Sequence, residues 1–94
     1  MLRDGSRVRE LLARQHGHQR ARLGWTEAAL AREFAILGEE VERALAGRLQ
    51  DVPPGTVDDA RALARAGLAA GARDSAEALR AATAEAEALR QPAA

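Results

Sequence analysis

From Thr26 onward, apolar side chains return every three or four positions: Leu30, Phe34, Leu37, Val41, Leu45 and Leu49. That spacing places them on one stripe of a helix, and it is the clearest amphipathic pattern in the chain, predicting a helix over about 27–50. The opposite face carries Arg32, Glu39 and Arg43, with Glu39 and Arg43 four apart and suited to pair along the helix. Upstream, Val8, Leu12, His16 and Leu23 share a second stripe with Leu11 beside it, predicting a helix over about 4–23 capped by Asp4 or Ser6.

Between these helices stands Gly24-Trp25-Thr26. Gly24 fits the position just past a helix end, where the left-handed backbone is cheapest without a β-carbon. Thr26 is a good N-cap, and Glu27 adds negative charge to the first turn. Trp25 precedes the cap and Leu30 follows it by four, so the two can close over the corner as a hydrophobic staple. The expectation is a helical hairpin.

Downstream, Asp51-Val52-Pro53-Pro54-Gly55-Thr56 reads as an extended linker over 51–56, because proline disfavours helix in the residue before it. Thr56 is the expected cap of a third helix over about 57–90, with Asp58 and Asp59 in its first turn. Its apolar residues are sparse, and a break would fall at 71–75, where Gly71 weakens the helix and Asp74 or Ser75 could recap it; one bent helix is the favoured reading. Gly67 and Gly71 have a spacing that lets helix backbones approach closely, although in an Ala-rich chain composition alone readily produces it.

The fold class predicted is therefore all-α: one domain over 1–94, a helical hairpin plus a long third helix. Alanine is the commonest residue, all 14 basic residues are Arg, and Trp25 and Phe34 are the only aromatics. Such a composition makes helix easily but a thin core, since alanine brings little of the area that stabilises at ~25 cal/mol per Å². Burial against a second copy is the natural remedy, so we expect a helical bundle completed by homodimerisation. The expected hairpin and interface core is Val8, Leu12, His16, Leu23, Trp25, Leu30, Phe34, Leu37, Val41 and Leu45.

Net charge is zero but unevenly spread: residues 1–24 sum to +4, 25–50 to −2 and 51–94 to −2. Segments of opposite sign can pair within the hairpin or between chains. A nucleic-acid surface built from Arg3, Arg7, Arg9, Arg14, Arg20 and Arg22 is disfavoured by the neutral total and the scarcity of aromatics. Cysteine is absent, which excludes disulfides and thiolate metal sites. Charged residues interrupt every apolar run, so no membrane partner is expected and the chain reads as soluble and cytoplasmic.

Candidate chemistry centres on the hairpin. His16 shares a stripe with Leu12 and Leu23, and is read first as a packing residue bonded to a neighbouring helix, second as a sensor of protons or a ligand. His18 lies on another face, so the two cannot chelate one ion, and no metal or haem site is expected. Arg20 and Glu33 flank the corner and can pair across it, fixing the hairpin angle. Glycine-rich phosphate loops, nucleophiles and paired carboxylates are missing, so no catalytic residues, no cofactor and no enzyme activity are expected.

The run His16-Gly17, Arg20, Gly24-Trp25-Thr26, then Leu30, Glu33-Phe34 and Leu37, spread over about 8–49, resembles the RsbRD-type N-terminal sensor domain. That family occurs in stressosome co-antagonist proteins and at the front of bacterial sensor histidine kinases. The resemblance implies a non-catalytic sensor or dimerisation module that passes input to a kinase or stressosome partner by helix repacking. A small helical-bundle adaptor for protein–protein interaction is the alternative.

Overall fold

A computed structural model describes residues 2–90, with side chains described from Gly5 onward. It contains three helices, α1 (Leu2–Arg22), α2 (Glu27–Arg48) and α3 (Pro54–Arg90), and α3 packs against both others. The architecture is the all-α hairpin with a long third helix. Neither Asp4 nor Ser6 caps α1, because the helix already runs through both.

The corner follows local chemistry. Gly24 takes φ +80°, the left-handed conformation, and its amide donates to the Ala21 carbonyl at 3.0 Å. Thr26 is extended at φ −89° and ψ 163°, and its hydroxyl accepts from the Ala29 amide at 3.1 Å. At its far end α2 stops at Leu49, whose amide still bonds the Leu45 carbonyl. Arg43 pairs with Glu40 at 2.7 Å, one residue nearer than the expected Glu39.

The linker is shorter than expected. Helix α3 begins at Pro54, and the amides of Thr56 and Val57 donate to the Pro53 carbonyl at 3.0 and 3.2 Å, so Thr56 lies inside the helix and caps nothing. Proline suits the first helical position, where its missing N–H would have had no partner and its fixed φ is already helical. From there α3 runs unbroken through Gly71 and Ser75 for 37 residues, about 55 Å. Pro92, expected beyond its end, lies outside the described residues.

Helix α1 runs with α3: Arg9 lies beside Gly67, and Gly17 beside Ser75 and Ala78. Helix α2 runs against it, with Glu27 paired to Arg80 and Glu42 reaching Arg61 and Arg65 at 3.2 and 3.3 Å. The Cα envelope of the chain is 65 × 29 × 14 Å, a slab about two packed helices deep, with α1 and α2 lying on α3.

Burial corrects the expected core. Leu30, Ser75, Ala78 and Leu79 are buried, together with Gly17 and Gly71. His16, Trp25, Phe34, Val41 and Leu45 are half-buried, while Val8, Leu12, Leu23 and Leu37 are exposed in the single chain. Leu23 stands past the last turn of α1. The others are exposed because α1 is drawn onto α3 rather than onto α2.

Gly17 explains why. A β-carbon there would fall 2.9 Å from the Ser75 carbonyl carbon, closer still to its oxygen, and 3.0 Å from Ala78 Cβ. Two helix backbones meet at this point, as only small residues allow. The Ser75 hydroxyl, fully buried, donates to the Ala13 carbonyl at 2.7 Å and locks the contact. The backbone approach falls at Ser75 and not at Gly67 or Gly71, whose neighbours are the ends of the Arg9 and Phe34 side chains. Gly71 itself lies under the Phe34 ring, 3.6 Å from where its β-carbon would be.

Candidate functional site

Two helices, α1 and α2, meet at Glu33. Its position on α2 is fixed by the burial of Leu30 one turn earlier and by the seating of Phe34 on Gly71. Across the hairpin, Arg20 and His16 are four apart on α1 and present to the same side. Arg20 Nε and Nη2 donate to the two carboxylate oxygens of Glu33 at 3.2 and 2.6 Å, a two-point fork. His16 Nε2 stands 2.6 Å from Glu33 Oε1. An ionised carboxylate accepts only, so Nε2 carries the proton in this arrangement.

Two rings frame the cluster. The His16 imidazole meets Phe34 edge-on, with centroids 5.8 Å apart, and the Arg20 guanidinium stacks over Trp25 at 4.5 Å. The pairing of Arg20 holds the Glu33 carboxyl below the usual carboxylate range, with His16 adding in the same direction and partial burial opposing. The Arg20 guanidinium is shifted upward by the same hydrogen bond. Glu33 therefore stays ionised at neutral pH and acts as a clasp between α1 and α2.

Beyond the clasp, toward the start of α1 and the end of α2, the two helices stand apart over α3. The gap is an apolar groove of about 620 Å³ walled by Leu12, Leu37 and Val41 and floored by Gly67, Leu68 and Gly71, with His16 and Glu33 at its closed end and Arg9 along its rim. Its volume lies in the range of small-molecule clefts.

The expected site residues are thus divided. His16, Arg20, Glu33, Trp25 and Phe34 gather at the corner; Leu12, Leu37 and Val41 line the groove; Leu30 belongs to the core; Val8, Leu23 and Leu45 join neither the clasp nor the groove lining. Sequence reasoning missed Ser75, Ala78 and Gly17 as the hinge of the whole arrangement. One signal for Gly17 was present: a glycine inside a helix costs about 1 kcal/mol and needs a reason.

Chemically, the cluster can hold an angle between helices and can respond to a change in the ionisation or pairing of Glu33. Among the described residues, no group of three or more His, Cys, Asp or Glu is placed to hold a metal ion, and no helix is long and apolar enough to cross a membrane. In comparisons with family models, curated proteins and solved structures, nothing matches this chain.

Proposed function

We propose that the protein is a non-catalytic signalling module, a sensor and dimerisation domain of a bacterial stress-response or histidine-kinase pathway, acting by helix repacking. The observation that carries the reading is the clasp: α1 and α2 each rest on α3, while a single carboxylate with two partners ties them to each other at the closed end of an open groove. Altering those pairings changes the angle between α1 and α2 and is felt by α3, which touches both. The resemblance to RsbRD-type sensor domains supports the same reading, since its positions His16, Gly17, Arg20, Trp25, Glu33 and Phe34 all fall at this corner.

The chain has no cysteine, so spin labels on Ser6→Cys and Ala44→Cys report the opening of the groove directly. Replacing Glu33 by Gln should lengthen or broaden the measured distance. One narrow distance, identical with Glu33 and with Gln, refutes repacking and leaves a rigid helical adaptor. The pathway is tested by titrating the purified chain into the autophosphorylation reaction of the histidine kinase encoded nearest to it; a rate that the chain leaves unmoved refutes that half.

A further inference from the structure

We infer that the apolar groove is filled by the same groove of a second copy, with the two-fold axis running along it, so that α1 of each chain lies antiparallel on α2 of the other. The inference rests on the reading of the chain as a dimerisation module and goes further by fixing the surface, its orientation and its contacts.

Two observations lead to it. First, the apolar walls of the groove, carried by α1 and α2, are left open on the side away from α3. Val8, Leu12 and Leu37 are 55%, 60% and 45% exposed. Leu12 on α1 faces Leu37 and Val41, four apart on α2, across the groove, and Val8, one turn before Leu12, continues the exposed apolar surface beyond its lining.

Second, charge selects the orientation. Arg9 stands beside Gly67 on one wall, and Gly38 beside Leu68 on the other, so both lie at the same level of α3. A two-fold along the groove preserves levels and exchanges walls. It lays Val8 and Leu12 of one chain over Leu37 and Val41 of its partner, and brings Arg7 and Arg9 toward Glu39 and Glu40. A two-fold across the groove sets α1 against α1 and α2 against α2, with arginine facing arginine and glutamate facing glutamate. Among the described side chains, neither Arg9 nor Glu39 has an ion-pair partner within its own chain. The unequal charge of the first two helices is satisfied between chains.

Light scattering over a concentration series, with far-UV dichroism on the same samples, tests the surface. The wild-type chain of 10.0 kDa should weigh twice that. Leu12→Glu and Leu37→Glu should each weaken the dimer about a hundredfold or more with helicity kept, since each sets an unpaired charge in the apolar seam. Leu63→Glu, at a leucine exposed outside the groove, should leave it intact. A dimer that survives both groove substitutions overturns the proposal and leaves dimerisation standing through another face. A wild-type monomer at every concentration overturns both.

Oxidative cross-linking tests the axis and remains decisive even where a glutamate unfolds the chain. Leu12→Cys mixed with Leu37→Cys should give disulfide-linked dimers, and Leu12→Cys alone should not. The reverse result refutes the orientation.

Discussion

Replacing Gly17 by alanine tests the central packing contact. The new β-carbon would lie 2.9 Å from a main-chain carbon of α3 and 3.0 Å from Ala78 Cβ, where carbon atoms rest at about 3.5–4.0 Å. No side chain can swing aside, so α1 and α3 must part by something near 1 Å. Overpacking of this kind costs about 1–3 kcal/mol. Parting also stretches the bond from the Ser75 hydroxyl to the Ala13 carbonyl, and a buried polar group that loses its partner costs about 1–3 kcal/mol. Against this, alanine in a helix gains about 1 kcal/mol over glycine. The balance is a loss of about 3 kcal/mol, a large share of the ~5–15 kcal/mol that holds a small domain together. Thermal unfolding followed by far-UV dichroism should show a midpoint about 15 °C lower, measured at one protein concentration because self-association shifts the midpoint. Gly47→Ala is the control, since its β-carbon would meet nothing within 4 Å; it should be neutral or stabilising. If Gly17→Ala melts at or above the wild-type temperature, the close approach of α1 and α3 is wrong.

Two further perturbations probe the corner. Thr26→Ala removes the acceptor for the Ala29 amide and should destabilise by about 1 kcal/mol in denaturant titration, whereas Thr26→Ser should be nearly silent. Glu33 has its folded-state pKa lowered, chiefly by Arg20, so the stability it contributes is fully present above its ordinary value near 4.3 and is lost as pH falls through the lower folded value. The unfolding midpoint measured from pH 7 down to pH 2 should therefore drop less steeply below about pH 4.3 in Glu33→Gln than in wild type; parallel acid limbs would show that the clasp carries no linked proton.

What could be read in advance was local. Gly24 and Thr26 declare a turn through their own backbone and side-chain chemistry, and the corner forms as they dictate. Arg20 and Glu33 flank that corner within reach of each other, so their pairing follows once the turn is set. The partner of each apolar stripe could not be read. Periodicity shows that Val8, Leu12, Leu37 and Val41 lie on helix faces but not which face meets which. The answer is set by Gly17, Ser75 and Ala78, residues whose contribution is the absence of bulk, and which leave no mark on a hydrophobic pattern. Pro54 misled for a related reason: the residue that breaks a helix interior is also well suited to begin one.

The distribution of close contacts gives the arrangement its mechanical character. The tight approach of α1 to α3, the burial of Leu30 and the Glu33 clasp all lie near the corner, whereas the far halves of α1 and α2 border an open groove. From Gly17 back to its start, α1 extends about 22 Å. A tilt of about 5° at the clasp would move that end by about 2 Å, comparable to the helix shifts of about 1–2 Å that switch subunit interfaces. The surface that would travel bears Val8 and Leu12, and in the proposed dimer its registry with the partner copy would decide whether the two chains mate. Under the proposed pairing of two copies, a chemical change at Glu33 would be read out at the opposite end of the groove, where association would be permitted or broken.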